Sequence, residues 1–203
     1  EAEGRLPVSE LVDMTWIDGK FGSAIDFNSD ISFVSMGDIM NDVIMPLTLS
    51  AWVKWDGGQD SAVIVTDDNP DCYSGSWILI NANGSVEVGF GQGYRWGYDS
   101  DDLRTRTTAA GAVLPGTWTH ICGVIRDATD IRVFINGVES GQTYYGTETS
   151  NGVLTDPAYA PLGNANFGWW RFSTDRHFPG TLDNVAIYNR ALTDEEAVRL
   201  GKA

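Results

Sequence analysis

Cysteine and histidine are scarce in this chain, with two of each in 203 residues. Cys72 lies in a polar stretch and Cys122 in an apolar one, and neither has a second cysteine at the CxxC spacing of a metal site. The two either form one bridge or stay free, with Cys122 acting as a small buried hydrophobe. Neither His120 nor His177 has a Ser or Cys at a spacing that marks a nucleophile. Basic residues are few as well: 13 Lys and Arg face 28 Asp and Glu, giving a net charge of −15. A nucleic-acid backbone or an anionic membrane surface would be repelled, which leaves neutral sugars, cations and proteins as partners. There is no run of 18 apolar residues and no signal-like n-region followed by an h-region. The expectation is a mature or excised module that neither inserts into a membrane nor carries its own export address.

Helical periodicity is also rare. Short apolar runs are punctuated by 23 glycines, seven prolines and Asn/Asp pairs, the pattern of many strands joined by turns. Residues 19–27 and 31–36 read as strands about the turn Asn28-Ser29-Asp30. LTLSAWVKW (47–55) alternates, with Leu47, Leu49, Ala51, Val53 and Trp55 on one face and Trp52 on the other. SAVIVT (61–66), SWILIN (76–81) and SVEVGF (85–90) follow, then WTHICGVIR (118–126) and IRVFI (131–135). Asn83-Gly84 and Asn136-Gly137 mark hairpins whose type I′ turns need positive φ twice. Residues 91–115 and 140–160 read as long loops. At the end, a strand through Leu182, Val185, Ile187 and Tyr188 enters a short helix, where Thr193 and Glu196 have capping-box spacing. The sum is one all-β domain over residues 1–203, a two-sheet antiparallel sandwich or jelly roll with a short C-terminal helix.

The ordered set GKFGSAIDF, LTLSAWVKW, INANGSVEV, WTHICGVIRD, RVFINGVE and GTLDNVAIYNRALTDEE resembles the laminin G-like, concanavalin A-like lectin/glucanase superfamily over residues 16–200. Modules of this kind usually begin with an extra strand beside the C-terminal one, and nothing before Trp16 looks like it. The stretch EAEGRLPVSELVDM either replaces that strand or follows the point at which it was lost. The resemblance implies a structural calcium held by Asp183 and by oxygens near Asn28 and Ser29, chemistry suited to an ion that takes six to eight hard oxygens. The other reading of Asp183, a lone carboxylate in an apolar strand, is that turn N–H groups satisfy it. It implies as well a module that is part of a larger extracellular or cell-surface protein.

Catalysis by a glycosidase of this fold needs paired carboxylates on one strand face, as in ExDxxE, and no such pair is present. Asp67 to Asp71 begins like a calcium-binding EF-hand loop, but Cys72 stands where glycine is needed and Ile78 where the bidentate glutamate belongs. The aromatics are more informative. Tyr73, Tyr94, Trp96, Tyr98, Trp169 and Trp170 fall in turn-rich stretches among Gly, Asn, Asp and Arg, with Arg171 and His177 nearby, whereas Trp52 and Trp118 sit in framework strands. Sugar C–H faces stack on such rings while hydroxyls bond to the polar groups between them. The chain reads as a non-catalytic carbohydrate-binding module, the alternative being a protein-interaction module whose aromatics form an interface.

Overall fold

The computed structural model describes residues 10–29, 31–37, 45–66, 74–92, 103–147, 165–170 and 176–203. Its strands are β1 (Glu10–Val12), β2 (Met14–Asp18), β3 (Ser23–Phe27), β4 (Phe33–Ser35), β5 (Leu47–Trp55), β6 (Ser61–Val65), β7 (Ser74–Ile80), β8 (Val86–Gln92), β9 (Leu103–Thr108), β10 (Trp118–Asp127), β11 (Asp130–Ile135), β12 (Val138–Glu139), β13 (Gly141–Tyr145), β14 (Asn166–Phe167), β15 (Trp169–Trp170), β16 (Arg176–His177) and β17 (Gly180–Tyr188); the helix is α1 (Asp194–Leu200). One sheet has eight strands in the order β1-β4-β14-β6-β7-β8-β9-β13, the other seven in the order β12-β11-β10-β5-β17-β3-β2, and β15 with β16 forms a separate hairpin. Pairing is antiparallel throughout both sheets.

Alternation assigns the faces. Leu49, Ala51, Val53 and Trp55 of β5 meet Ile78, Ile80, Val86, Val88 and Phe90 of the opposite sheet in one core between the layers. The complementary residues of β5 and β10 point outward, and at one end Cys122, Val124 and Phe134 are covered by Leu192 and Ala197 of the C-terminal segment. Thr48 ties that segment down: its hydroxyl donates to the Arg190 carbonyl at 2.9 Å and accepts from the Leu192 N–H at 3.0 Å. The expected capping box is present, with Thr193 and Glu196 bonded reciprocally. Glu196 also takes both Arg190 Nη atoms, at 2.8 and 2.7 Å, and this guanidinium is the first cause that holds its carboxyl down at about 2. Where the helix ends, Gly201 lies against the Asn136-Gly137 turn so closely that a Cβ would stand 2.1 Å from the Gly137 nitrogen.

Four departures from the sequence reading have physical causes. The strands β3 and β4 do not form a hairpin: β3 pairs with β2 and β17, β4 with β1 and β14, so the two belong to different sheets. At Asn83-Gly84 only Gly84 has positive φ, and its N–H donates to the Asn81 carbonyl at 2.7 Å, so this hairpin uses a longer turn than Asn136-Gly137, where both residues are left-handed. The supposed loops 91–115 and 140–160 contain β9 and β13. Their inward side chains are not apolar, because they close the rim of the sandwich: Arg106 donates to the Ile131 and Gly141 carbonyls at 2.7 and 2.6 Å, and its guanidinium and that of Arg104 lie 5.2 and 4.6 Å from the Tyr144 ring. Finally, β2 occupies the edge beside β3, so that among the described residues β17 lies between β3 and β5 with no further strand next to it.

Candidate functional site on the outer face of the eight-stranded sheet

The outward side chains of β6, β7 and β9 include Ala62, Val65, Trp77, Leu79 and Leu103, and Trp170 packs among them to make a second, smaller core. The rings of Trp77 and Trp170 are 5.0 Å apart and tilted by 36°. The β15–β16 hairpin that brings Trp170 there also stacks Trp169 on His177 at 5.3 Å and 11°, with Phe33 at 4.8 Å from Trp169. Gln59 fastens the hairpin by donating to the His177 carbonyl at 3.2 Å.

Next to this cluster stands Glu87, an outward residue of β8 in an otherwise apolar strand. Trp77 Nε1 donates to its Oε1 at 3.0 Å. Burial pushes the Glu87 carboxyl up from its ordinary value, against the opposing pull of the Trp77 N–H and the Arg176 charge and in the same sense as Asp60. Arg176, on β16, lies over the Trp170 ring at 5.7 Å. A half-buried carboxylate, a guanidinium and two indoles thus share one patch. Sequence reasoning passed over Glu87 because it searched for a second acid on the same strand. The partners of Glu87 come instead from β7 and β16, which no spacing motif connects.

The aromatic residues predicted to bind ligand separate into three groups. Trp170 is fully buried and Trp169 half-buried, so Trp170 belongs to the packing of this face and is not an open platform. His177 is 8% exposed and occupied by its stack with Trp169. Tyr73, Tyr94, Trp96, Tyr98 and Arg171 lie outside the described residues. The strand ends that flank the first four, Val65 and Ser74, Gln92 and Leu103, are neighbours at one end of the eight-stranded sheet.

Of the residues expected to hold calcium, Asp183 lies at one end of β3 and Asn28 and Ser29 at the other. Pairing of β17 with β3 runs from Gly180 opposite Phe27 to Leu182 opposite Ile25, which puts Asp183 at the start of β3 and Asn28 and Ser29 past its other end. Four residues of strand separate them, roughly 13 Å at the usual rise. Asp183 Oδ2 accepts the Phe21 N–H at 2.8 Å, and Gly19 sits so near that a Cβ would come within 2.6 Å of the same oxygen. The carboxylate therefore secures the turn before β3, at a bulge where β17 shifts register between Asp183 and Ala186. No group of three His, Cys, Asp or Glu able to hold a metal occurs among the described residues. The turn folds Phe21 edge-on to Trp52 at 5.8 Å and sets Lys20 Nζ 4.6 Å from the Trp52 ring. Beneath it, His120 Nε2 and Ser50 Oγ are 2.9 Å apart, and burial pulls the imidazole down to about 4. With Ser50 3% and His120 2% exposed, this pair is sealed from any substrate. Cys122 is a free thiol whose burial pushes it up to about 12, leaving it unreactive.

A family model described as the concanavalin A-like lectin/glucanases superfamily, of laminin G type, matches residues 32–198. No curated protein sequence is similar to the chain. Among solved structures, domain 4 of AbnA, an extracellular GH43 arabinanase from Geobacillus stearothermophilus solved with arabinotriose, is 20% identical with a TM-score of 0.60, over 93% of this chain and 81% of that one. The CBM40 of the Ruminococcus gnavus IT-sialidase is 13% identical with a TM-score of 0.61, covering 89% and 97%. The binding domain of Paraclostridial Mosquitocidal Protein 1 is 15% identical with a TM-score of 0.66, covering 97% of this chain and 47% of that larger one. At these identities the likeness is one of fold. By its family match and its two-sheet jelly roll, the chain belongs to the concanavalin A-like lectin/glucanases superfamily.

Proposed function

We propose that this chain is a non-catalytic carbohydrate-binding module of a larger extracellular or surface protein. The observation that carries the reading is the outer face of the eight-stranded sheet, where Glu87 and Arg176 present hydrogen-bonding groups beside Trp77 and Trp170. A saturated ring with many hydroxyls is matched by such a patch, since the carboxylate and the guanidinium serve the hydroxyls while the buried indoles beneath hold those two groups in place. Two further supports come from the comparisons: one similar domain was solved with arabinotriose, and another is a sialidase CBM40 that was solved with α2,3-sialyllactose. The non-catalytic part of the reading is supported by similar structures that are named as binding domains, and a glycosidase of this fold would call for a second acid beside Glu87 on its strand.

A glycan array followed by calorimetry tests the reading. Saturable binding to a glycan, with no reducing ends released on prolonged incubation, is the expected result. A folded protein that binds no glycan overturns it, and turnover of a bound polysaccharide overturns the non-catalytic part.

A further inference from the structure

We propose that Glu87, Thr107 and Thr143, a row crossing β8, β9 and β13 with Arg176 at its head, form a subsite for an uncharged glycan whose adjacent hydroxyls bridge the carboxylate and the threonines. The proposal rests on the carbohydrate-binding reading and gives it an address and a ligand class.

Register places the row. Glu87 is paired with Thr107, and Thr107 with Thr143, so the three side chains leave the same face of adjacent strands. Directly opposite residues in antiparallel strands have Cβ atoms about 5 Å apart, a gap that one sugar hydroxyl bridges by hydrogen-bonding to both side chains at about 2.8 Å each. Exposure rises along the row, from half-buried Glu87 and Thr107 to exposed Thr143. The hydrogen-bonding capacity is largely unspent. Among the described residues, Oε1 of the carboxylate takes one bond, from Trp77, and Oε2 takes none. The hydroxyls of Thr107 and Thr143 have no hydrogen-bond partner among the described residues, and the Arg176 guanidinium makes no ion pair or hydrogen bond with any of them. An acceptor, two groups that both donate and accept, and a donor are thus arranged in sequence, which is what a chain of hydroxyls requires.

The charge selects the ligand. A uronate, sulfate or sialate seated here would face Glu87 and a protein of net charge −15, with Arg176 the one opposing cation on this patch among the described residues. An uncharged sugar meets no such repulsion. The competing explanation is that Glu87 exists to hold the Trp77 indole. Glutamine would do this equally well through its own Oε1, without burying a charge. Glu87→Gln therefore separates the two roles.

The test is affinity electrophoresis and calorimetry on the full chain with soluble neutral polysaccharides (arabinan, xylan, mixed-linkage glucan, galactomannan) and acidic ones (alginate, polygalacturonate), with melts on every variant. The wild type is expected to be retarded by at least one neutral polymer and by neither acidic one. Glu87→Gln should melt at or above the wild-type temperature and lose at least tenfold in affinity. Thr107→Val, which is nearly isosteric, should lose several-fold, and Thr143→Ala, at the exposed end, less. Phe21→Ala, on the other sheet, should bind as the wild type does. Binding of a neutral polymer unchanged in Glu87→Gln and in both threonine variants overturns the subsite while leaving the carbohydrate reading in place. Retardation by an acidic polymer, tightened by Glu87→Gln, overturns the ligand class. Failure of the wild type to bind any glycan removes both.

Discussion

Over the seven-stranded sheet, the chain covers its own outer face. Helix α1 and its approach lie on Cys122, Val124 and Phe134, while Phe21 and Lys20 lie on Trp52. Most of the polar groups left there are bonded: Thr48 tethers Arg190 and Leu192, Ser50 meets His120 Nε2, and Asp183 takes the Phe21 N–H, with His120 Nδ1 buried without a partner among the described residues. Over the eight-stranded sheet, the β15–β16 hairpin covers Trp77 but leaves Glu87, Thr107 and Thr143 with bonding capacity in hand. Both faces carry tryptophan, an acid and hydroxyls, so composition does not tell them apart. The difference is that one face has most of its partners within the chain.

The largest expected effect tests whether the covered part of the binding face is packing. Trp170→Ala should destabilise by about 3–5 kcal/mol, the range for removing a buried Trp, and Trp169→Ala by clearly less. Urea unfolding of both variants checks this, and wild-type stability in Trp170→Ala would return that ring to the ligand. Next is the sealed His120. Its folded value near 4 lies below the unfolded 6.5, so the unfolded chain binds a proton first as pH falls. Stability is full above about 6.5 and declines as pH falls toward 4, by on the order of 3 kcal/mol. His120→Gln should flatten that portion of the stability profile, and an unchanged slope would mean the imidazole is open to water.

Asp183→Ala should cost about 1–3 kcal/mol by stranding the Phe21 N–H and loosening the lid on Trp52. Wild-type melts in chelator and in millimolar calcium should coincide. A calcium-dependent rise that Asp183→Asn abolishes would put a metal at that residue. The smallest effect belongs to Trp16, 64% exposed on the edge strand β2, where Trp16→Ser should change stability by no more than about 0.5 kcal/mol. A larger loss would show that the edge is packed in solution.

What could be read from the sequence follows from which face each residue serves. The strands of the central core alternate because one side is dry, and the Thr193–Glu196 cap is local, so both were legible. β9 and β13 were not, since LRTRTT points arginines at a wet rim and threonines outward, erasing the apolar alternation. Asp183 was singled out correctly as a carboxylate in need of partners, but the choice between an ion and an N–H depended on register, which runs between segments more than 150 residues apart. The candidate site was legible only as a set of aromatics. Glu87 acquires meaning from Trp77 and Thr107 on either side of it, and cross-strand neighbours leave no spacing signature.

Gly201 resting on the Asn136-Gly137 turn has a consequence in time. A seven-residue helix is far too short to persist in water on its own, so α1 exists only after its landing site does. That site requires β10 and β11 paired and their turn already left-handed, because nothing larger than two hydrogens fits between the glycines. The last turn of the chain is thus a late event that reports on an early one: amide protons of α1 should exchange with solvent ahead of those of β10, and any lesion in the Asn136-Gly137 turn should free the helix while most of the sandwich still stands.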